Sequence, residues 1–256
     1  MAFMGKVVVV TGASSGIGKE TAIKFSKLGA SLALCGRNNT ALDNVAKKCE
    51  ELSKKEPLIV VGDITDESVP NKIIKNVIDR FGKLDVLVNS AGIIENGTIE
   101  NTTLEQFDRM FNINVRCVFQ LTSLAVPHLI KTKGSIVNVS SVAGSRSFPN
   151  VLSYCMSKAA IDQFTKCTAL ELASKGVRVN AVNPGVIITE LHKRAGMQDE
   201  AYKQFLERCK ETHALGRPGE ASEVADCIAF LASDNASFIT AENVHVDGGR
   251  HAMCPR

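Results

Sequence analysis

Val7-Val8-Val9-Val10-Thr11-Gly12-Ala13-Ser14-Ser15-Gly16-Ile17-Gly18 is the stretch on which the fold turns. Four consecutive valines lack the alternation of a half-solvated strand and read as a strand covered on both faces. The run passes directly into a Gly-rich turn, and Lys19–Leu28 beyond it has helical periodicity. In a doubly wound sheet such a turn lets the backbone approach a pyrophosphate closely. The helix that follows offers the phosphates its free N–H groups and positive dipole end. The spacing through Gly12, Gly16 and Gly18 is Gly-x-x-x-Gly-x-Gly, which departs from the G-x-G-x-x-G fingerprint. A Gly-rich turn without a ligand is the alternative. The position of the loop, between the first strand and the first helix, weighs against it.

Working outward, short β-branched runs alternate with amphipathic stretches. Strands are expected at Val7–Val10, Leu32–Cys35, Leu58–Val61, Val86–Val88, Ile136–Val139, Val177–Val182 and Asn243–Val246. Helical stretches lie between them: about Asn39–Lys55, Ser68–Phe81, Thr103–Lys131, about Ser153–Ser174 and Ala221–Ala232. The expected fold class is therefore α/β: a three-layer, doubly wound Rossmann-type fold with a seven-stranded parallel sheet and helices on both faces. The alternation is unbroken, so residues 1–256 read as one domain. The longest stretch without a strand, Ile187–Glu220, is polar and contains Gly196 and Gly216-Arg-Pro-Gly219; it reads as a flexible lid.

The bulk composition excludes several classes. Thirty basic and 27 acidic residues are interspersed, giving a net charge of +3 with no basic block, so no nucleic-acid partner is expected. The eight cysteines are scattered singly, without a C-x-x-C pair or a Cys/His cluster, so neither a zinc site nor a disulfide framework is expected. The chain starts without the charged and apolar regions of a signal peptide, and no apolar run approaches the roughly 18 residues of a membrane span. The expected setting is cytoplasmic, with no membrane partner.

About 20 residues past the Gly-rich turn, a dinucleotide fold normally places an acid that holds the adenosine ribose and favours NAD. Here the second strand ends in Gly36-Arg37-Asn38-Asn39, with no carboxylate. A guanidinium at that point suits a 2′-phosphate, so NADP(H) is favoured over NAD(H), with Ser14 as a second contact. Capping of an exposed strand end is the other reading of Arg37. Tyr154, one of only two tyrosines, is followed four residues later by Lys158, which puts both side chains on one helix face. An ammonium beside a phenol lowers its pKa from near 10 by favouring the phenolate. On its own Tyr-x-x-x-Lys is a weak signal.

Other residues fall into order around it. Ser141, thirteen residues before Tyr154, ends a strand in Val139-Ser140-Ser141-Val142-Ala143-Gly144. Upstream lie Asn89-Ser90-Ala91-Gly92 and Asn112-Ile113-Asn114-Val115, and downstream Asn183-Pro184-Gly185 with Thr189. Together these residues resemble the compact single-domain branch of the short-chain dehydrogenase/reductase family, from Lys6 to Val246-Asp247-Gly248-Gly249. The resemblance implies a doubly wound sheet of seven parallel strands and nicotinamide-dependent carbonyl or alcohol chemistry. It implies that Tyr154 is the proton donor and that Lys158 lowers its pKa and binds the nicotinamide ribose. Ser141 would polarise the substrate carbonyl, and Asn114 would hold a relay water; Asn114 as a structural residue is the plainer reading of it alone. Gly12, Ser15, Gly16, Ile17 and Gly18 would cradle the pyrophosphate. Asp63 would contact the adenine, Asn89 and Gly92 would line the groove, and Pro184, Gly185, Ile187 and Thr189 would hold the carboxamide. Departures are Ser90 for the usual Asn, Ala241 for a common Gly, and Ser15 where many NADP-dependent members carry Lys or Arg.

The expected reaction is NADP(H)-dependent reduction of a ketone or aldehyde, or oxidation of a secondary alcohol, on a small to mid-sized apolar compound, steroid-like ones included. A 3-oxoacyl-thioester (acyl-carrier-protein) reductase and a non-catalytic dinucleotide sensor are the alternatives. The resemblance also implies a homo-oligomer, tetramer or dimer, through the helices near Thr103–Lys131 and Ser153–Ser174. Phe148, Leu191 and Met197 are candidate pocket residues. His128, His192 and His213 belong to no motif and read as surface or lid residues. Lys193–Lys210 reads as a mobile amphipathic flap whose basic residues form a solvated face, with docking to an acidic carrier protein as the other reading.

Overall fold

All seven apolar runs form strands, in the order expected for a parallel sheet wound in two directions. The structure, a computed structural model, describes residues 2–254. In chain order its elements are β1 (Val7–Thr11), α1 (Gly16–Lys27), β2 (Ser31–Gly36), α2 (Asn39–Ser53), β3 (Leu58–Val61), α3 (Ser68–Phe81) and β4 (Val86–Asn89). Then come α4 (Leu104–Phe111), α5 (Cys117–Thr132), β5 (Ser135–Val139), α6 (Val142–Ser145), α7 (Leu152–Ala173) and β6 (Arg178–Pro184). The chain ends with α8 (Leu191–Arg194), α9 (Asp199–Glu207), α10 (Cys209–Thr212), α11 (Ala221–Ala232) and β7 (Asn243–Val246). The spatial order is β3-β2-β1-β4-β5-β6-β7, every neighbouring pair parallel. The winding direction therefore reverses between β1 and β4, which opens a crevice at their C-terminal ends.

The valines of β1 show why the sheet needs cover on both sides. Val8 and Val10 pack into one core with Ala22 and Phe25 of α1, Leu42 of α2 and Val224 and Ile228 of α11. Val7 and Val9 face the opposite core, with Ile73 of α3, Leu121 and Leu129 of α5 and Leu172 of α7. Successive strand residues point to opposite faces, so a continuous apolar run demands two helical layers.

Two expectations are revised. Thr103–Lys131 is not one continuous helix: between α4 and α5, Asn112–Arg116 adopts a π-helical turn. One extra residue per turn re-aims side chains locally, and such bulges gather at functional sites. Leu104–Thr132 as a whole is also long and apolar enough, by length and composition, to cross a membrane, contrary to the expectation that no run is. Here Leu121, Ala125 and Leu129 face the sheet. All eight cysteines are free thiols, and Cys35, Cys49, Cys117 and Cys209 are buried.

A polar seam crosses the second core. Asn89 Nδ2 donates to Thr122 Oγ1 of α5 (3.1 Å) and to Asn138 Oδ1 of β5 (2.9 Å). Asn138 Nδ2 donates to Thr165 Oγ1 of α7 at 2.9 Å. Asn89 and Asn138 are register partners, so the seam runs along the sheet from one helix to the next. Replacing Asn138 with Ala removes the middle of the seam, and each buried group left without a partner costs about 1–3 kcal/mol. Asn138→Ala should lower the free energy of urea unfolding by about that amount.

Candidate active site

The cleft at the reversal point has a volume of about 950 Å³ and runs from the Gly-rich turn to Tyr154. Its phosphate end is shaped by what glycine permits. Gly12 has φ +65°, and a Cβ there would stand 3.0 Å from the backbone of Ser90 and Ala91. A Cβ at position 18 would overlap the carbonyl of Gly12. Thr11 Oγ1 accepts from the N–H groups of Ser90 (3.0 Å) and Ala91 (3.1 Å), so the loop after β4 is tied to the end of β1. Ser15, the N-cap of α1, is extended and makes no capping bond with its side chain, leaving the first-turn N–H groups open to an anion. These features fit a dinucleotide pyrophosphate. Ser14, Ser15, Gly16, Ile17 and Gly18 all border the cleft.

Arg37, just beyond β2, borders the same cleft together with Gly36, Asn38 and Asp63. Its guanidinium lies 3.6 Å from an Asp63 carboxylate oxygen, and both side chains are substantially exposed. The other Asp63 oxygen accepts from the Thr65 N–H (3.0 Å) and hydroxyl (2.8 Å), which with Arg37 hold its pKa below the usual carboxylate range. Asp63 thus pairs with Arg37 at the cleft.

At the chemical end, Ser141 is the extended N-cap of α6 and accepts a hydrogen bond from the Ala143 N–H at 3.1 Å. With one acceptor position so occupied, its O–H is free to donate into the cleft. Ser140 instead donates to the Lys158 carbonyl at 3.2 Å. Tyr154 and Lys158 both point in from the first turns of α7. Lys158 Nζ donates to the Val139 carbonyl at 2.8 Å and stands 5.7 Å from the centre of the Tyr154 ring. The expected lowering of the phenol pKa does not prevail. Burial pushes Tyr154 up to about 12, with the Ser141 hydroxyl acting more weakly in the opposite sense. Burial also brings Lys158 down to about 8, against the attraction of Asp162. Asp162 accepts from Asn183 Nδ2 at 3.0 Å and is itself raised by burial.

Asn114 sits in the π-helical turn, fully buried behind Gly92. Its Oδ1 accepts from the Ile93 N–H (2.9 Å), and its Nδ2 donates to the Ile93 carbonyl (3.0 Å) and Ser157 Oγ (3.1 Å). A Cβ on Gly92 would meet Asn114 Oδ1 at 3.2 Å and Lys158 Nζ at 3.7 Å, which brings the three together. Asn89 departs from expectation: it does not line the cleft, because its amide is committed to Thr122 and Asn138. Pro184, Gly185, Ile187 and Thr189 border the cleft, as do the candidate pocket residues Phe148, Leu191 and Met197.

Several participants carried no readable signal. His213 is not a surface residue: it is 2% exposed, and its Nε2 accepts from the Val186 N–H at 3.2 Å, bracing the turn after β6. His192 also borders the cleft, packed against Phe205. The Lys193–Lys210 segment, expected as a mobile flap, is seated by Tyr202, whose hydroxyl donates to the Thr189 carbonyl (3.0 Å) and accepts from the Thr189 N–H (3.3 Å). Arg194 Nη2 reaches Ser15 Oγ at 3.0 Å, so a guanidinium arrives at the Gly-rich turn from 179 positions away. His128, on α5, is only partly buried and lies away from the cleft.

Comparison with known proteins gives this geometry its context. A family profile described as Enoyl-(Acyl carrier protein) reductase matches residues 12–251. The chain is 39% identical to a 3-oxoacyl-[acyl-carrier-protein] reductase of Thermotoga maritima, over 97% of this chain and 99% of that one. It is 38% identical to a meso-2,3-butanediol dehydrogenase of Serratia marcescens (98% and 97% covered) and 38% identical to an L-xylulose reductase of Caenorhabditis elegans (96% of each). A crystal structure of a Caenorhabditis elegans short-chain dehydrogenase/reductase of unknown function, with cofactor, superposes with a TM-score of 0.93 at 36% identity, covering 99% of this chain and 98% of that one. Those relatives are named for an acyl thioester, a diol and a sugar, so the shared frame does not by itself choose a substrate. The chain belongs to the short-chain dehydrogenase/reductase family, the nicotinamide-dependent oxidoreductases of alcohol and carbonyl groups.

Proposed function

We propose that this protein is an NADP(H)-dependent carbonyl reductase, acting reversibly on secondary alcohols, with Tyr154 as its proton donor. The observation that carries the reading is the convergence of Ser141, Tyr154 and Lys158 on one end of a cleft whose other end is a glycine-shaped phosphate cradle. When bound, the nicotinamide dinucleotide supplies the hydride in reduction and accepts it in oxidation. The chain's own residues do the rest. Ser141 donates its free O–H to the carbonyl oxygen and polarises it. Tyr154, held as a neutral phenol by burial, gives that oxygen a proton. Lys158, brought down to about 8 by burial, stands behind it, and Asn114 fixes the backbone beside it. Gly12, Gly16 and Gly18 hold the pyrophosphate, Thr189 and Ile187 the carboxamide, and Arg37 with Ser14 the 2′-phosphate.

Acyl-carrier thioesters are a second substrate reading, favoured by the Thermotoga maritima relative. Turnover of a 3-oxoacyl carrier-protein substrate well above that of free ketones would select it. Free thiols throughout support a reducing, cytoplasmic setting. Phe119 of α5 (60% exposed) and Leu170 of α7 (75% exposed) support a homo-oligomer through these helices.

Tyr154→Phe should lower kcat by about 10²–10⁴-fold with NADPH while the variant still binds the cofactor in a fluorescence titration. Undiminished turnover would remove Tyr154 from the reaction. Arg37→Ala should raise the KM for NADPH about tenfold or more and leave that for NADH nearly unchanged, since a charged hydrogen bond is worth about 1.5–3 kcal/mol. For pH dependence, Tyr154 stays protonated below its value of about 12, and Lys158 loses its charge through about 8. Carbonyl reduction, followed as kcat/KM, should be level on the acid side of that value and fall above it, whereas alcohol oxidation should rise across the same range. Combining Phe119→Asp with Leu170→Asp should yield a smaller species in sedimentation velocity.

A further inference from the structure

The part of the cleft beyond Tyr154 combines two kinds of surface. Phe148, Leu191, Met197 and Phe205 provide apolar walls, and among them stands the guanidinium of Arg250. Arg250 follows the closing Gly248-Gly249 and lies over the Phe148 ring, with its Cζ 4.8 Å from the ring centre. Phe148 in turn packs against the cluster that contains Met110 and Tyr154. One aromatic side chain therefore separates this cation from the packing around the phenol.

Arg250 lacks what most exposed arginines of this chain have. Arg37, Arg80, Arg109, Arg116 and Arg217 each stand within 4 Å of a carboxylate. Among the described residues, none lies within that distance of Arg250. Asp247 is near, but its oxygens are taken up by the Gly249 N–H and by the N–H and ring of His251. Glu190 also borders the cleft, beside Thr189, and forms no ion pair with Arg250. Burial and the neighbouring Arg146 and Arg208 disfavour the Arg250 cation, against the pull of Cys209 and Asp247. Its field also helps hold His192 and His213 neutral. Arg146 is committed to backbone, donating to the carbonyls of Arg250 (3.4 Å), His251 (2.5 Å) and Met253 (2.7 Å).

A guanidinium cannot relieve this situation by losing its proton, and a partly buried charge without a counter-ion is costly. The fork of N–H donors matches the two oxygens of a carboxylate, and the aromatic face beneath it fixes its plane. We infer that Arg250 binds the carboxylate of the substrate, which makes the preferred substrates oxo acids and the corresponding hydroxy acids, with the anion remote from the reacting carbon. The inference rests on the reading of Tyr154 as the proton donor of a carbonyl reductase.

The test is equilibrium binding to the NADP⁺-loaded protein of saturated carboxylates from butanoate to octanoate, each against its amide, by calorimetry. The best carboxylate should bind at least about tenfold more tightly than its amide. Arg250→Met should erase that difference, and Arg250→Lys should restore part of it. In turnover, Arg250→Met should raise the KM for an oxo acid whose carboxylate is remote from the ketone by a larger factor than the KM for its methyl ester. Equal binding of carboxylate and amide by the wild-type protein overturns the inference without recourse to any variant, so a misfolded variant does not shield it. Carboxylate selectivity in a protein that turns over no carbonyl or alcohol leaves the role of Arg250 standing and removes that of Tyr154.

Discussion

The carbonyl oxygen of Gly12 occupies the space that any Cβ at position 18 would need. That one exclusion lets α1 start directly above the end of β1, and the rest of the site is arranged around it. Because α1 comes down close, Ala22 and Phe25 reach the sheet and share a core with Val224 and Ile228 of α11. The same closeness leaves Ser15 extended and the first-turn N–H groups uncovered. A side chain at position 18 would therefore disturb the cofactor cradle and the packing of the first helical layer together. Thr11 carries the constraint to the neighbouring strand, since its hydroxyl takes both Ser90 and Ala91 N–H groups.

At the other end of the cleft, low polarity governs. Burial moves Tyr154 up and Lys158 down, toward the neutral form of each. The phenol therefore keeps its proton at neutral pH, and of the two groups the amine is the one whose charge changes nearer to it. Ser141 fits the same scheme: the Ala143 N–H takes up one of its acceptor positions and leaves the donor free.

The sequence disclosed what is local. A four-residue spacing on one helix, a thirteen-residue spacing from strand end to helix start, and apolar runs between Gly-rich turns are set by the periodicities of helix and strand. It did not disclose what folding brings together from far apart. Ser15 looked like a missing cation, yet Arg194 supplies one in space. His213 read as a surface or lid residue and Tyr202 as part of the flap because their partners, at Val186 and Thr189, are backbone groups with no sequence signature. Asn89 was misplaced because side-chain direction at a strand end depends on the neighbouring strand, where Asn138 claims its amide. The π-helical turn at Asn112–Arg116 passed as ordinary helix because neither Gly nor Pro marks it.

The Thr122–Asn89–Asn138–Thr165 seam has a bearing on catalytic precision. Oily contacts tolerate sliding, since one methyl group substitutes for another at little cost, whereas hydrogen bonds hold a single alignment. Moving α7 by one residue would translate it about 1.5 Å and rotate it by more than a quarter turn, and Thr165 would lose Asn138. The seam thus acts as a locating pin for the long helix. The pin sits eleven residues from Tyr154, three helical turns along a rigid rod, and holds the phenol at its working height from outside the cleft.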